Sequence, residues 1–374
     1  MRILYIANSR LPTEKAHGLQ IVKTVEAFIE EEAYVKLIIP RRNNPIQSTI
    51  SDYYNIVRIP DIVYVKNYFG FLERYFHHPY FIVQRFSFTL AALFLGLLSR
   101  EDIVYSREIT LCFLLALFGK KVVFEDHEPK KKMRRLYFLF IKVIGKKVIV
   151  PPMLGDLYAK NNVDKESYII APNGVDVKEI KNISGLENDK IPQTEKIVMY
   201  VGHFYRWKGV YTLIDAAPSI NARIMLVGGN DADRMDVEEY IRSKGVTNAS
   251  ILPFLPHREV LRLMKTADVL VLPNTADEER SAKYTTPIKL FEYMASGRPI
   301  IVSDLPSLRN IVDENSVFCF EPDNSRSLAA AALFVLQNDE EAKRRAEYAR
   351  REVEKYSWDI RAKSIISFLS SASY

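Results

Sequence analysis

Short apolar segments alternate with helical segments along almost the whole chain, and this alternation restricts the possible folds more than any other feature. An apolar run at residues 2–7 leads, after a polar loop, into a helical pattern over about residues 19–31. The same order recurs, and it predicts an α/β protein with parallel strands and helices on both faces of each sheet. The predicted strands are residues 2–7, 35–40, 102–107, 121–124, 147–150 and 167–170, followed by 196–201, 223–227, 250–252, 267–272 and 299–303.

The turn sequence Ala-Pro-Asn-Gly-Val-Asp at residues 171–176 separates two series of strand–helix units. A chain of 374 residues exceeds a typical single domain, so two domains are expected. Pro-Asn-Gly is a strong turn signal, and a polar stretch without clear periodicity follows it to residue 190. We therefore predict one Rossmann-like domain over residues 1–172 and a second over residues 173–355.

The composition is ordinary for a soluble protein and argues against some kinds of site. Hydrophobic residues make up 48% and charged residues 26% of the chain. Cys112 and Cys319 are the two cysteines, and two distant thiols predict neither a disulfide framework nor a cysteine-based zinc site. They indicate a reducing compartment. Because the sequence opens directly on a strand, we expect no signal peptide and a cytoplasmic location.

The formal net charge of +6 is unevenly distributed. Basic residues cluster around an apolar helical segment: Lys130, Lys131, Lys132, Arg134, Arg135, Lys142, Lys146 and Lys147. This cluster and the aromatic stretch at residues 67–85 fit either a helix on an acidic membrane surface or a core helix with a basic rim. The first alternative would make the protein peripheral at the cytoplasmic membrane face. Nucleic acid fits less well, because no recognised nucleic-acid-binding module accompanies the charge.

The most apolar window of the chain is residues 81–98. Its length approaches that of a bilayer-spanning helix, but Gln84, Arg85, Ser87 and Thr89 interrupt it. The window therefore predicts a core helix rather than a membrane span.

Polar residues follow the strands of the first half at the rim where the carboxyl ends of parallel strands meet. Arg107 follows one strand, and Glu125 and His127 follow another. Ligands of open α/β sheets collect at this rim. His127 is either a substrate residue or a loop histidine with local partners. Gly18 either lets a backbone N–H approach a phosphate or serves as a turn glycine, and no G-x-G-x-x-G sequence follows it.

The loop at residues 202–209 leads from the first strand of the second half into a helix. Arg206 and Lys208 stand in this loop, where backbone N–H groups and the helix dipole already favour an anion. Two cations in this position predict a diphosphate site.

A further candidate is the helix that follows Pro287 and ends before Gly297. Proline is favoured at a helix start and glycine just after a helix end. Glu292 lies within this helix among apolar neighbours, where a carboxylate is costly to bury unless a hydroxyl or a cation meets it. Glu292 is either a solvated carboxylate on the polar side of the helix or a binding residue.

These motifs together resemble a known enzyme family. Two Rossmann-like halves, a loop with Arg and Lys after the first strand of the second half, and a Pro-x-Lys-x-x-Glu helix occur in this order in the retaining glycosyltransferases of family 4 (glycosyl transferases group 1). The resemblance runs nearly end to end and implies the GT-B fold, in which two Rossmann-like domains face a central cleft. It also implies that a C-terminal helix, about residues 356–374, packs back on the first domain.

The resemblance implies a hexosyltransferase-like enzyme that takes a UDP- or GDP-linked sugar and needs no cofactor. Gly18 matches the glycine that faces the donor phosphates, and His127 matches the histidine near the transferred sugar. Lys208 matches the lysine that binds the diphosphate. Arg107, Glu125 and His127 lie in the domain where this family binds acceptors, so the resemblance makes them candidate acceptor residues.

The rest of the donor site is implied in the same way. Phe254 and Leu255 resemble the loop whose backbone reads the nucleobase. Glu292 matches the carboxylate that holds the ribose hydroxyls, with Thr286 and Leu290 close to the phosphates and ribose. The residues to which the resemblance gives a catalytic role are His127, Arg206, Lys208 and Glu292.

This sequence departs from the family's pattern at two positions. His203 follows Gly202 where arginine is usual, and Arg206 is the candidate for the missing phosphate contact. Tyr284 stands where the family has a glutamate that contacts the donor sugar, and a phenol cannot accept from two hydroxyls as a carboxylate does. The alternatives there are a carboxylate from the preceding loop (Asp277, Glu278 or Glu279) or backbone N–H groups of the turn Thr285-Thr286-Pro287.

The chemistry implied is retaining transfer without a metal ion, because Lys208, Arg206 and a helix N-terminus can stabilise the leaving diphosphate. The expected acceptor is a lipid-linked or cell-envelope glycan. Two other functions remain open: a sugar-nucleotide 2-epimerase of the same architecture, and a membrane-surface scaffold that has lost its catalytic site, which the departures at Tyr284 and His203 motivate.

Overall fold

The computed structural model describes residues 1–66, 77–129, 134–185 and 195–371. The chain divides into two compact units, Met1–Asn173 with Trp358–Tyr374, and Gly174–Ser357. The second unit is thus a continuous stretch inserted into the first. Three parts of the sequence analysis lie outside the described residues: positions 67–76 of the aromatic stretch 67–85, the cluster members Lys130, Lys131 and Lys132, and residues 186–190 of the polar stretch.

The described part of the first unit contains a sheet of seven parallel strands in the order β3-β2-β1-β4-β5-β6-β7. Its strands are β1 Arg2–Ile6, β2 Tyr34–Pro40, β3 Asp61–Val65, β4 Ile103–Ser106, β5 Val122–Asp126, β6 Lys146–Ile149 and β7 Tyr168–Ile170. Its helices are α1 Ala16–Glu30, α2 Ile50–Tyr54, α3 His77–Leu98, α4 Ile109–Leu117, α5 Arg134–Val143, α6 Pro152–Lys160 and, after the second unit, α16 Trp358–Ser370.

The described part of the second unit contains a sheet of six parallel strands in the order β10-β9-β8-β11-β12-β13. Its strands are β8 Ile197–Gly202, β9 Arg223–Gly228, β10 Ala249–Leu252, β11 Val269–Leu272, β12 Ile300–Ser303 and β13 Phe318–Phe320. Its helices are α7 Val177–Asn182, α8 Val210–Ala216, α9 Asp231–Ser243, α10 His257–Met264, α11 Glu279–Lys283, α12 Ile288–Ser296, α13 Pro306–Arg309, α14 Ser325–Gln337 and α15 Asp339–Glu352.

Each predicted strand is present within one or two residues of its predicted bounds, and the sequence missed β3 and β13. Both lie at a sheet edge, and their apolar runs, at residues 62–65 and 317–320, are too short to distinguish a strand from a buried helix segment. One shift affects a candidate residue. Strand β5 continues to Asp126, so Glu125 and Asp126 belong to the strand and are buried instead of lying in the loop after it.

Helix α3 is not the core helix that its sequence predicts. Its inner face, with Gln84, Phe88 and Ala92, is buried, whereas 22% of the window Phe81–Leu98 is buried overall. This is the one helix among the described residues that is long and apolar enough to cross a membrane. The prediction failed because apolar residues occur on both faces of α3. We call its exposed large side chains the α3 stripe: Phe81, Ile82, Phe86, Leu90, Phe94 and Leu98.

Two members of the predicted basic cluster are structural. Lys146 and Lys147 are buried in β6, where Lys147 donates to the carbonyl of Ile144 and to the hydroxyl of Ser167. Burial lowers the pKa of Lys147 to about 8. Arg134, Arg135 and Lys142 on α5 are exposed as expected.

Candidate functional site

The loop between β8 and α8 is shaped by glycine at both ends. Strand β8 ends at Gly202, and a single turn of 3-10 helix, Arg206–Lys208, precedes Gly209. Gly209 has φ +71°, and a Cβ there would lie 1.7 Å from the carbonyl oxygen of Pro273. Glycine is therefore required where the loop passes the end of β11, and the loop is held against the carboxyl ends of the strands.

Lys208 is the half-buried cation of this loop. Its Nζ lies 3.9 Å from the centre of the Trp207 ring. Burial, together with the positive charges of Lys289 and Arg280, lowers the pKa of Lys208 to about 7. The structure therefore brings a second lysine, from helix α12, and an arginine, from helix α11, to the predicted diphosphate site.

Glu292 is a buried carboxylate and not a solvated one. Its residue is 3% exposed, and its Oε1 lies 2.7 Å from the Nε2 of His257, the first residue of α10. Burial raises the pKa of Glu292. The opposite effect of His257, through its charge and its hydrogen bond, and of the charge of Lys289 is larger, so the pKa of Glu292 stays below its ordinary value. Glu292 is therefore ionised at neutral pH.

Helix α12 is fixed in register against β8. Pro287 precedes it and Gly297, with φ +71°, ends it, as the sequence predicts. The hydroxyl of Tyr293 accepts a 2.9 Å hydrogen bond from the backbone N–H of Val201. This bond ties the helix that carries Lys289 and Glu292 to the strand that leads into the Lys208 loop.

The other predicted donor residues differ in how exposed they are. Phe254 is 45% exposed, whereas Leu255 packs against the core of the second unit. Thr285, Thr286, Pro287 and Leu290 are buried around the start of α12, and Tyr284 immediately follows α11. Of the carboxylates considered as replacements at Tyr284, Glu279 lies 3.6 Å from Lys283, and Asp277 and Glu278 are exposed.

Arg206 and His203 do not join the Lys208 cluster. The guanidinium of Arg206 lies 5.6 Å from the centre of the Tyr211 ring, and Arg206 is exposed. The ring of His203 stacks on Tyr205 with ring centres 5.0 Å apart. The charges that act on Lys208 are those of Lys289 and Arg280, and that of Arg206 is not among them.

In the first unit, Glu125 is the centre of a buried network. Its Oε1 accepts from the amide of Gln20 at 2.6 Å and lies 2.7 Å from the Nε2 of His127. Its Oε2 accepts from Arg361 of helix α16 at 2.9 Å and from the hydroxyl of Tyr105. Arg361 is the largest cause that keeps the pKa of Glu125 well below its ordinary value against the effect of burial. Glu125, a predicted acceptor residue, is thus fully engaged within the protein and positions His127.

His127 is neutral and has a defined tautomer. Burial and the charge of Arg107 lower its pKa to about 4. Because the Glu125 carboxylate can only accept, the proton of His127 is assigned to Nε2, and Nδ1 is an acceptor without a partner among the described residues. Arg107 donates to Gln20 at 3.0 Å, so it belongs to the same network.

Gly18 has a packing role in this structure. Helix α1 begins at Ala16, earlier than predicted, and the N–H of Gly18 donates to the carbonyl of Lys15 at 2.9 Å. A Cβ at Gly18 would lie 2.2 Å from the hydroxyl of Tyr54. Because Tyr54 approaches so closely, glycine is needed at this position. The N–H of Gly18, which was expected to face a phosphate, donates to the carbonyl of Lys15.

Comparison with known proteins gives a family match for part of the second unit. Residues 186–352 match the family described as "Glycosyl transferases group 1". This part of the chain is a glycosyl transferases group 1 domain. It lies within the second unit and contains Lys208, His257, Lys289 and Glu292.

Curated relatives of the group 1 domain are named as glycosyltransferases. A phosphatidyl-myo-inositol mannosyltransferase of Mycobacterium tuberculosis is 30% identical over 209 residues, which are 52% of this chain and 52% of that protein. A D-inositol 3-phosphate glycosyltransferase of Corynebacterium urealyticum is 26% identical over 194 residues, 48% of this chain and 44% of the relative. The matched region therefore spans about half the length of these relatives.

Solved structures match the whole chain. HepE of Anabaena in complex with UDP has a TM-score of 0.77 at 15% identity and covers 100% of both chains. Sucrose-phosphate synthase of Thermosynechococcus elongatus has a TM-score of 0.74 at 17% identity and covers 99% of this chain and 98% of its own. At these identities the likeness shows the fold, and it confirms the predicted GT-B fold class.

Three residues around the group 1 domain's candidate site were not predicted from the sequence: His257, Lys289 and Arg280. The Pro-x-Lys-x-x-Glu pattern contains Lys289. Because residues three apart share a helix face, this pattern could have indicated that Lys289 lies beside Glu292. His257 directly follows the Phe254-Leu255-Pro256 segment, and its partner is 35 residues away, so no local signal joins it to Glu292. Among the described residues, no group of three or more His, Cys, Asp or Glu side chains is placed to hold a metal ion.

Proposed function

We propose that this chain transfers a sugar from a nucleoside diphosphate to an acceptor hydroxyl, with retention of anomeric configuration and without a metal ion. One arrangement supports this most directly: the buried carboxylate of Glu292, held by His257, lies near Lys289, and Lys289 in turn lies near Lys208 in the loop after β8. A UDP- or GDP-linked sugar has matching groups, since ribose hydroxyls donate to a carboxylate and a diphosphate meets ammonium groups.

The same cations suit the chemical step. When the bond between the anomeric carbon and the diphosphate oxygen breaks, the electron pair of that bond goes to the diphosphate, which gains negative charge. Preorganised positive charge lowers the energy of that state without any rearrangement. Retention, with front-face attack by the acceptor hydroxyl, is the course that the family resemblance favours.

His127 is our candidate for contact with the transferred sugar or the acceptor. Its neutral ring presents Nδ1 as an acceptor for a hydroxyl, while Glu125 holds Nε2. Glu125 then acts as a positioning residue rather than an acceptor ligand. Arg107 lowers the pKa of His127 and so keeps the ring in its hydrogen-bond-accepting form.

We further propose a lipid-linked or envelope glycan as acceptor and an acidic membrane surface as the site of action in the cytoplasm. The α3 stripe presents an apolar surface, and helix α4 packs against both α3 and α5, the helix that carries the exposed cations Arg134, Arg135 and Lys142. The inner face of α3 is held in the protein, because Gln84 is buried and hydrogen-bonds Arg42 and Asn8. This fits a helix that lies in the interface better than one that crosses the bilayer.

The transfer is tested by incubating the protein with a panel of nucleotide sugars and then with candidate glycolipid acceptors. Binding of at least one donor should raise the melting temperature. Lys208→Ala and Glu292→Ala should each reduce transfer at least about tenfold while the protein stays folded. An epimeric sugar nucleotide formed without acceptor would indicate an epimerase, and no donor binding by the wild type would favour the scaffold.

The membrane proposal is tested by vesicle flotation. Phe86→Ser with Leu90→Ser should reduce recovery on vesicles that contain acidic lipid. Phe334→Ser, at a position of α14 in the second unit whose exposure is close to that of Leu90, is the control and should leave recovery unchanged. Equal recovery of the wild type on neutral and acidic vesicles would contradict an electrostatic contribution.

A further inference from the structure

We infer that Lys289 binds the phosphate next to the ribose of the donor, while Lys208 binds the terminal phosphate of the same diphosphate. The inference rests on the proposed function and assigns a separate phosphate to each lysine.

The path of the Lys289 side chain places it at the end of β8. A Cβ at Gly202 would lie 2.8 Å from the Cε of Lys289, so the aliphatic part of this lysine passes directly over Gly202. Gly202 is the last residue of β8, immediately before the loop that carries Lys208. The missing side chain at residue 202 therefore leaves the room in which Lys289 reaches the carboxyl ends of the strands.

Neither lysine forms an ion pair with a carboxylate in the described part of the chain, although the charge of Glu292 acts on Lys289. In the described part of the chain, neither Lys208 nor Lys289 makes a hydrogen bond or a salt bridge to a side chain, and Lys208 contacts the ring of Trp207. The nearby carboxylate of Glu292 is hydrogen-bonded to His257. Burial lowers the pKa of both lysines, and the charge of Lys289 lowers that of Lys208 further. Two half-buried ammonium groups that repel each other are costly alone and are stabilised by an anion with two charged groups.

The spacing along α12 decides which phosphate each lysine receives. Lys289 precedes Glu292 by three residues, so the two side chains share one face about one turn, or roughly 5 Å, apart. If Glu292 binds the ribose hydroxyls, the cation one turn away meets the phosphate ester-linked to that ribose. The charge of Lys289 acts on both Glu292 and Lys208, whereas Lys208 is not among the charges that act on Glu292, so we assign Lys208 to the phosphate farther from the ribose.

Calorimetry with UDP, UMP, GDP and GMP separates the two roles. Lys289→Met should weaken binding of the monophosphate and of the diphosphate by a similar factor, about tenfold. Lys208→Met should weaken the diphosphate by about tenfold and leave the monophosphate unchanged. Lys289→Arg keeps the charge and should retain most of the affinity. Lys283→Met removes an exposed lysine of α11 that pairs with Glu279, and it should change neither affinity.

Lys289→Gln is a second variant that removes the charge while keeping a polar side chain, and thermal melting without ligand checks that each variant is folded. Wild-type affinity for both nucleotides in folded Lys289→Met and Lys289→Gln would overturn the inference while leaving the proposed function intact. A loss confined to the diphosphate would overturn the assignment of Lys289 to the ribose-linked phosphate. If the wild type bound none of the four nucleotides, the proposed function would fall as well.

Discussion

The imidazole of His257 lies 2.7 Å from the carboxylate of Glu292, although the two residues belong to different helices and are 35 positions apart. The contact engages Oε1 and leaves Oε2 of Glu292 without a protein partner among the described residues. A buried carboxylate is thus kept ionised and oriented while one oxygen remains available. A hydroxyl of a ligand can donate a hydrogen bond to this oxygen.

The first prediction concerns ribose discrimination. The wild type should bind UDP or GDP more tightly than the corresponding 2′,3′-dideoxynucleotide, because Glu292 accepts from the ribose hydroxyls. Glu292→Gln should weaken the ribonucleotide by about tenfold and remove most of the difference between the two ligands. Titration calorimetry measures both affinities. His257→Ala should reduce the discrimination partly, and an unchanged difference in Glu292→Gln would show that Glu292 does not contact the ribose.

The second prediction concerns pH. The pKa of Lys208 is about 7 without a ligand, and a bound diphosphate raises it because the anion favours the charged form. Affinity for a nucleotide sugar should therefore be constant below pH 7 and fall by up to about tenfold per pH unit above it, until the pKa of the bound state is reached. Proton uptake on binding, measured in buffers of different ionisation enthalpy, tests the same coupling.

Lys208→Arg is the control for this pH dependence. An arginine stays charged throughout this range, so the variant should bind with little change in affinity between pH 6 and pH 9. A wild type without any decrease above pH 7 would mean that Lys208 does not meet the diphosphate.

The third prediction concerns the buried pair Glu125 and Arg361. Arg361→Met should lower the free energy of unfolding of the first unit by about 3–5 kcal/mol, since it leaves the charge of Glu125 buried without its cation. Adding Glu125→Gln should restore most of the loss. The two tryptophans allow a clean measurement, because Trp358 lies in the first unit and Trp207 in the second. Urea denaturation of Arg361→Met should shift the fluorescence transition in a Trp207→Phe background and leave it in place in a Trp358→Phe background.

The fourth prediction compares two glycines with positive φ. Gly209 has φ +71° and faces the carbonyl of Pro273, whereas Gly245 has φ +64° and has open space around its Cα. Gly245→Ala should cost about 1–2 kcal/mol, the strain of a left-handed residue. Gly209→Ala should cost clearly more and also weaken nucleotide binding, because the loop that carries Lys208 must move. Equal denaturation midpoints for the two variants would contradict the close contact with Pro273.

Local patterns in the sequence predicted the parts of the fold that depend on local physics. Pro287 and Gly297 fixed the ends of α12 because both act on the backbone at their own positions. Apolar runs predicted the central strands, whereas the edge strand β3 was missed because its run of four apolar residues does not by itself distinguish a strand from a helix segment. The position of Glu292 was predicted, but its partner was not, because the contact with His257 depends on how α10 and α12 pack.

Long-range contacts also account for the remaining differences. Arg361 lies 236 positions from Glu125, and no spacing rule connects them. Arg206 was favoured by its place in the loop, yet the direction of its side chain is decided by the ring of Tyr211. The sequence predicted that the outer face of α3 is part of the core, but this face is exposed. An apolar sequence pattern does not distinguish a face that packs in the protein interior from one that contacts another apolar surface.

Because the second unit is inserted into the first, Arg361 is synthesised long after Glu125, and the intervening stretch contains the whole second unit. A nascent chain that has just emerged to Asn173 carries a buried carboxylate whose cation has not yet been translated. The half that is made first is consequently completed last, and a premature stop codon near the C-terminus would damage the beginning of the protein rather than its middle.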